Sequence, residues 1–404
     1  MLKNADWTEA RDLLLERALP VETEIIPLEA CGGRVLGFDL RAAADVPPFD
    51  RSAYDGYALR SADVADASPE HPVTLTITET IPAGNVGTKP VLPGQAAHLM
   101  TGAAIPDGAD CVIMFEKTQF TDDTVTLFSP LKSGDNIVKR GEDVKKDSLL
   151  AACGTVIDPG LAGTLASQGL ARVQVYRKPV IGLISTGSEV TEAGEPLETG
   201  KIYNANRASL TALLEKEGCA VRYLGLAGDE ADAITSLIAQ GIQTCDAVIL
   251  TGGVSVGDWD VTPEAMTRAG VELLVRGVAM KPGMACAYGA AGNKLALGLS
   301  GNPASAVTNF CACVLPAIRK LCGKKDALPQ PIRARLIRGF RKKSPADRIL
   351  RGRLVLEDGA VRFDASSDQG NVVLSSTIGY NAFLLIPAGS GPVEAETEWR
   401  GFVL

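Results

Sequence analysis

Between residues 180 and 321 short apolar runs alternate with longer amphipathic ones, and this alternation restricts the fold more than any other feature of the chain. The runs at 180–184, 221–226, 247–250 and 295–299 read as buried strands; 207–218, 231–240 and the stretch from Pro303 to Leu321 read as helices. Strands interleaved with helices in this way predict a parallel sheet. Each strand ends in a loop of small and polar residues: Ser185-Thr186-Gly187-Ser188-Glu189, Gly228-Asp229-Glu230, Thr251-Gly252-Gly253-Val254-Ser255-Val256-Gly257-Asp258-Trp259-Asp260, and Ser300-Gly301-Asn302-Pro303. A further loop is Met280-Lys281-Pro282-Gly283. Ligands of such sheets bind where the strand order reverses, outside the carboxyl ends. Glu189, Asp229, Asp258, Asp260 and Lys281 are therefore expected in one crevice.

The loop from Thr251 to Asp260 holds the most chemistry. It follows the apolar run Ala247-Val248-Ile249-Leu250 and precedes Pro263-Glu264, a helix start. Successive N–H groups in such a loop can converge on one anion. Asp258 and Asp260 stand at its exit, where a phosphate-bound metal would need carboxylates. An ordinary strand-to-helix turn, with glycines for tightness, explains the loop alone equally well.

The flanking segments have a different texture. Asp6 to Leu19 reads as an amphipathic helix with acidic residues near its start, not as a signal peptide. Consecutive prolines in Asp45-Val46-Pro47-Pro48-Phe49-Asp50 impose an extended backbone, and Asp55-Gly56 marks a turn between aromatics. From 46 to 140 the pattern is β-rich, with clean alternation in Val73-Thr74-Leu75-Thr76-Ile77-Thr78 and a second run at Cys111-Val112-Ile113-Met114. Thr101, in Met100-Thr101-Gly102, can donate to an anion or close a turn. Lys139-Arg140-Gly141-Glu142-Asp143 is either a solvated turn or a phosphate and metal contact. Residues 159–169 read as a helix that pairs with the N-terminal one, capped by Gly169. Beyond a linker at 324–331, Ile332-Arg333-Ala334-Arg335-Leu336 and a hairpin signal at Asp358-Gly359 announce a final β domain.

With 404 residues the chain is long enough for several cores, and its net charge of -8 argues against general nucleic-acid binding. The nine cysteines are an odd number without a C-x-x-C pair, as in a reduced cytoplasmic protein. Two histidines, His71 and His98, are too few for a His-rich metal site. No stretch of eighteen or more apolar residues is present, so no membrane span is expected.

Taken in order and spacing, the Asp45–Ala58 stretch, Met100-Thr101-Gly102, Gly141-Glu142-Asp143, Ser185-Thr186-Gly187-Ser188-Glu189, Thr251-Gly252-Gly253-Val254-Ser255-Val256-Gly257 and Lys281-Pro282-Gly283 resemble the molybdopterin molybdenumtransferase (MoeA) family, related to the gephyrin E domain. The resemblance implies a multi-domain α/β plus β protein. Its expected parts are a small discontinuous helical/linker domain (1–45 and 141–176), an inserted β-rich domain (46–140), a three-layer α/β domain resembling the molybdopterin adenylyltransferase fold (177–326), and a C-terminal β-barrel (327–404). It further implies a cytoplasmic homodimer that takes adenylylated molybdopterin from a molybdopterin adenylyltransferase. That homodimer inserts molybdate or tungstate with Mg2+ and releases AMP. By the same resemblance Asp55, Thr101, Asp143, Glu189, Asp229 and Asp260 are the catalytic positions, with Glu189, Asp229 and Asp260 as metal ligands and Asp55 and Thr101 reaching across the dimer cleft. Ser185, Thr186, Gly187, Gly252, Gly253, Ser255, Lys281, Gly301, Asn302, Pro303, Arg351 and Asn371 match the substrate-binding positions.

Three departures stand out. The family's Lys-Pro-Gly-Lys-Pro is here Lys281-Pro282-Gly283-Met284-Ala285, its Pro-Gly-Asn-Pro is Ser300-Gly301-Asn302-Pro303, and a serine usual after Gln-Gly is Asn371. Loss of one cation from a partly buried dianion site costs about 1.5–3 kcal/mol. A non-catalytic, peptide-binding scaffold of the gephyrin type is the alternative, and a pyrophosphatase that cleaves the pterin adenylate without inserting metal is a third reading.

Overall fold

This computed structural model describes residues 1–255, 261–343, 345–357, 359–365 and 368–404. The chain divides into two compact units, one of Met1–Phe38, Cys153–Asp158 and Arg172–Leu404, the other of Asp39–Ala152 and Pro159–Ala171.

The first unit is built on a seven-stranded sheet in the order Leu2–Ala5, Glu272–Val278, Cys286–Ala291, Lys294–Leu299, Ala247–Thr251, Val180–Thr186, Ala220–Ala227. The last four strands of that order are parallel, as the alternating pattern predicts. Residues 247–250 show why such a run is apolar throughout: Ala247 and Ile249 enter the core on one face, Val248 and Leu250 the core on the other. One face is covered by the helix Ala205–Lys216 and by the helical stretch 303–321, the other by Ala231–Thr244 and Thr262–Arg268. Each large aliphatic side chain buried there contributes about 1.5–3 kcal/mol. A wider π turn at Phe310–Val314 interrupts the last helical stretch just before Pro316, whose ring nitrogen cannot donate to the preceding turn.

The sheet is mixed rather than wholly parallel, which corrects the expectation. Cys286–Ala291 runs antiparallel to both neighbours. It forms a hairpin with Lys294–Leu299 that turns at Gly292, in the left-handed region at φ 59°. The N-terminal residues Leu2–Ala5 form a parallel edge strand against Glu272–Val278. The following helix, Trp7–Arg17, is capped by Asp6, whose carboxylate accepts the Thr8 N–H at 2.8 Å. Trp7, Ala10 and Leu14 bury themselves in the core with Phe310 and Leu315, so this helix gives its apolar face to the sheet domain rather than to the helix at 159–167.

Five strands, Pro331–Leu336, Asp347–Glu357, Ala360–Ala365, Ala382–Ile386 and Glu398–Val403, close into a barrel because Asp347–Glu357 also pairs with Ala382–Ile386. Gly359, at φ 76°, supports the predicted hairpin; Asp358 lies outside the described residues. Ile349 and Phe383 of the barrel belong to the same buried cluster as the sheet, and Trp7 Nε1 donates to Asp347 Oδ2 at 3.1 Å.

The second unit is β-rich, with a six-stranded sheet in the order Cys111–Met114, Gly56–Leu59, Gln95–Leu99, Val73–Ile81, Thr124–Leu127, Thr118–Phe120. Its helix, Pro159–Ser167, is followed by Gly169 at φ 75°, the predicted cap. All nine cysteines are free thiols and all but Cys153 are buried. Among the described residues no helix is long and apolar enough to cross a membrane.

Candidate functional site

The carboxyl end of Val180–Thr186 is the switch point of the sheet. The chain leaves it for Ala220–Ala227 on one side and returns to Ala247–Thr251 on the other. A cleft of about 970 Å³ opens there, lined by Thr186–Glu189, Asp229, Gly252–Ser255 and Ser300–Pro303, with Val372 from the barrel at its rim.

Hydrogen bonds fix its floor. Thr186 Oγ1 donates to Thr251 O at 3.1 Å and Thr262 Oγ1 donates to Gly252 O at 3.0 Å, while Gly252 N donates to Leu299 O at 3.0 Å. Gly252 has φ 102°, and a Cβ there would stand 2.5 Å from Thr186 Oγ1 and 2.7 Å from Thr186 O. Only glycine lets the loop pass this close to the end of the strand. Ser185 and Thr186, predicted in a loop, end the strand itself, and both are buried. Asn302 precedes the helix Pro303–Asn309, and Asn206 Nδ2 donates to Gly301 O at 2.8 Å. Pro303 occupies the first helical turn, where its missing N–H costs nothing.

Two carboxylates face the cleft. Asp229 Oδ2 accepts the Ser188 N–H at 3.2 Å. Glu189 is exposed, and its carboxylate folds back over Gly187, where an added Cβ would lie 2.5 Å from Oε2. Asp258 and Asp260 lie outside the described residues. Among the described residues no group of three or more carboxylate, thiol or imidazole side chains could hold a metal alone. Two carboxylates beside room for a phosphorylated ligand suit Mg2+, which takes few protein oxygens and completes its shell with phosphate and water.

Sequence reasoning missed the support beneath this rim. Asn204 Nδ2 donates at 2.9 Å to both Ser185 Oγ and Glu192 Oε1, and Arg207 Nη1 donates to Glu192 Oε2 at 2.8 Å. Tyr223 donates its hydroxyl to Glu192, and the Arg207 guanidinium lies 3.8 Å from the centre of the Tyr223 ring. Burial, and then the hydrogen bond to Glu192, push the Tyr223 hydroxyl up to about 12. Burial opposes ionisation of Glu192, but hydrogen bonds from Tyr223, Asn204 and Arg207 outweigh it and hold the carboxyl below its ordinary range. Asn204 alone had a local signal, as the cap of Ala205–Lys216. The other partners are brought together only by the fold.

A second compartment of about 330 Å³ adjoins the cleft and shares Val254, Ser255, Ala285, Ser300 and Asn302 with it. Met284, Asn371 and Ser300, the three sequence departures, all line it. Lys281 lines neither compartment; it sits in the short strand Met280–Lys281 beside Asp347–Arg348, and Asn309 Nδ2 holds the following loop by donating to Gly283 O at 2.7 Å. Arg351 is fully buried; its guanidinium donates to Ser376 Oγ at 3.0 Å, Thr308 Oγ1 at 3.4 Å and Gly370 O at 3.1 Å. Desolvation lowers its pKa to about 10.

The second unit holds the remaining candidates. Thr101 donates to Asp55 Oδ1 from its N–H at 2.6 Å and its hydroxyl at 2.7 Å, and the backbone bond, with the side-chain bond behind it, keeps the carboxyl below its usual range. Asp143 is exposed, its N–H donating to Val46 O at 3.0 Å. Lys139 and Arg140 pair with Asp50 and Asp45 at 3.0 Å and 2.6 Å, the solvated-turn arrangement.

A doubly wound α/β sheet with an acidic cleft at its switch point, joined to a closed barrel, marks a ligand-binding α/β protein of the molybdopterin-binding class: the probable molybdopterin binding domain matches residues 182–320, and the MoeA N-terminal region (domain I and II) matches 5–169. A molybdopterin molybdenumtransferase of Bacillus subtilis (strain 168) is 38% identical over 378 residues, 93% of this chain and 88% of that protein. One of Staphylococcus aureus (strain N315) is 36% identical over 365 residues, 90% and 87% of the two chains. The crystal structure of molybdopterin biosynthesis moeA protein from Pyrococcus horikoshii OT3 superposes with a TM-score of 0.86 at 32% identity, covering 100% of both chains. The chain belongs to the molybdopterin molybdenumtransferase (MoeA) family of enzymes.

Proposed function

We infer that this protein inserts molybdate into adenylylated molybdopterin and releases AMP, a step of molybdenum cofactor biosynthesis. The observation that carries the reading is the cleft at the switch point, where Gly252 and Gly253 bring a loop of backbone against Thr186 beside the carboxylates of Glu189 and Asp229. Cleaving a pyrophosphate next to an incoming oxyanion gathers negative charge, and a site for it must offset that repulsion. Glu189 and Asp229 are the described residues that would hold Mg2+, with Asp260 as the third ligand by family resemblance. When bound, Mg2+ supplies positive charge at the pyrophosphate oxygens. Gly252, Gly253, Ser255 and the Gly301-Asn302-Pro303 turn orient the pterin phosphate, while Ser185 and Thr186 keep the strand ends in register beneath it.

The protein acts as a cytoplasmic homodimer in this reading, supplied by a molybdopterin adenylyltransferase. Asp55 and Thr101 serve the cleft of the second copy, and Asp143 joins the acidic cleft positions by family resemblance. The pairing of Asp55 with both donors of Thr101 supports a rigid, ionised carboxylate in that role. The scaffold alternative is not favoured, since the relatives carry a transferase name.

The test is a single turnover with adenylylated molybdopterin, Mg2+ and either molybdate or tungstate, following AMP release and metal retained on the pterin. AMP release coupled to retention of the oxyanion's metal is the expected result. AMP release with no metal retained would replace transfer by simple pyrophosphate cleavage.

A further inference from the structure

We propose that Cys219 and Cys322 form a peroxide-sensitive thiol pair, which closes reversibly into a disulfide and staples together the far ends of two helices that begin at the cleft.

The fold brings the two thiols together. The helix Ala205–Lys216 begins at Asn204, beneath the cleft rim, and ends in a turn at Gly218, φ 96°, that delivers Cys219. The helical stretch 303–321 begins after Asn302, on the cleft, and ends at Cys322, just before Gly323 at φ 77°. At their starts the helices are joined by the bond from Asn206 Nδ2 to Gly301 O; at their ends the Cys219 and Cys322 sulfurs lie 3.6 Å apart. Two buried sulfurs in contact, held at two fixed helix ends, are poised for cross-linking. The residues are 103 positions apart, and Asp229, Gly252, Gly253 and the Gly301-Asn302-Pro303 turn all lie between them. A bond there would close most of the cleft into one covalent loop. Other thiols meet different partners: Cys111 the Leu59 carbonyl, Cys311 the Tyr380 hydroxyl, and Cys313 the Trp7 carbonyl and the Met280 thioether.

The two sulfurs have different surroundings. Cys322 lines a compartment of about 340 Å³ that shares no described lining residue with the cleft, and Cys219 is not among its described lining residues. A small oxidant therefore meets Cys322 first. The hydrogen bond with Cys219 favours the Cys322 thiolate, and with the Lys324 ammonium it outweighs burial; the same bond holds the Cys219 thiol up. The thiolate is the nucleophile of such chemistry.

The oxidant is hydrogen peroxide. The Cys322 thiolate attacks one peroxide oxygen: an S–O bond forms, the O–O bond breaks, and the departing hydroxide recovers the proton that Cys322 gave up, leaving as water. Cys219 then attacks the sulfenic sulfur of Cys322. The S–S bond forms, the S–O bond breaks, and hydroxide leaves with the Cys219 proton as a second water. Two thiols and one peroxide give one disulfide and two waters; each sulfur gives one electron, and the peroxide takes both. A dithiol reductant reverses the change. Resolution by Cys219 also spares Cys322 from irreversible oxidation to sulfinic acid.

The experiment treats the folded full-length protein with equimolar hydrogen peroxide, blocks the remaining thiols, and maps its peptides without reduction. The expected result is a cross-linked Cys219–Cys322 peptide and two thiols lost per chain, both restored by dithiothreitol. The oxidised protein should melt higher than the reduced one by about 5 °C, because the cross-link constrains a long loop of the unfolded chain. Cys219→Ser should carry severalfold more sulfinic acid at Cys322 than the unmodified protein, and Cys322→Ser should leave the Cys219 thiol intact. The first two readouts use the unmodified protein, so they hold even where a variant fails to fold. Two intact thiols at these positions after peroxide, or a disulfide from either to another cysteine, overturns the pair. An oxidised protein that melts at the reduced temperature overturns the staple.

Discussion

At the scale of single residues, the site depends on positions where one atom more is too many. Replacing Gly252 by alanine forces a Cβ into Thr186 and a strained φ of 102°, so it should cost about 1–3 kcal/mol and abolish turnover. Urea melts and the single-turnover assay would read both effects. Asp229→Asn keeps the shape and removes the charge; AMP release should fall on the order of 10²-fold with the urea midpoint nearly unchanged. Charge is also structural in this chain. Glu217, 8% exposed, accepts from Arg319 Nε at 3.0 Å and Lys324 Nζ at 2.6 Å. Burial raises its pKa, but these two cations outweigh it and hold the carboxyl below its ordinary value. Its stabilisation is complete above about pH 4.3, the ordinary value for glutamate, and is lost as pH falls through the lower folded value. Glu217→Gln leaves two cations without their carboxylate and should cost about 3–5 kcal/mol near neutral pH, with the difference from wild type shrinking in acid. A melting series from pH 7 down to pH 3 would show it.

At the scale of elements, the N-terminal segment ties parts that the sequence presents as separate. Trp7 packs in the sheet core, approaches the Phe402 ring at 6.4 Å and bonds Asp347 in the barrel. Trp7→Ala should therefore destabilise sheet and barrel together, by about 3–5 kcal/mol, in one transition. Separate melting of the barrel would show instead that the shared core is not cooperative. The elements that sequence reading recovered are the ones dominated by local pattern: the buried runs at 180–184 and 247–250, the helix at 205–216 after its Asn204 cap, and the hairpin at Gly359. It missed Glu272–Val278 and Cys286–Ala291, whose apolar residues are shared between strand pattern and helix pattern, and it gave the N-terminal helix the wrong partner. Which neighbour a helix covers depends on the apolar faces left open elsewhere, and that is not a local property.

At the scale of the molecule, the proposed dimer makes a distinctive prediction. Asp55→Asn and Asp229→Asn should each inactivate a homodimer. Heterodimers carrying one of each should regain about half the activity, since one of their two sites contains neither change. No recovery in purified heterodimers would assign both residues to the same cleft of one chain. The proposed four-domain division is testable by limited proteolysis, with cleavage expected at the 324–331 linker only after the shared core around Ile349 and Phe383 has opened.

The α/β sheet, the β-rich segments, the glycine-bearing loops at the strand ends and, by resemblance, the family are all legible along the chain. Strand and helix periodicity, turn residues and spaced motifs are local along the chain, and a reader of the chain alone has all of them. Which predicted residues share a space is set by the folded packing. It joined Glu189 to Asp229, brought Met284, Ser300 and Asn371 into one compartment, and buried Arg351 inside the barrel. These are contacts between residues far apart in sequence. The packing of whole elements fixes them, and no single stretch of the chain encodes that packing.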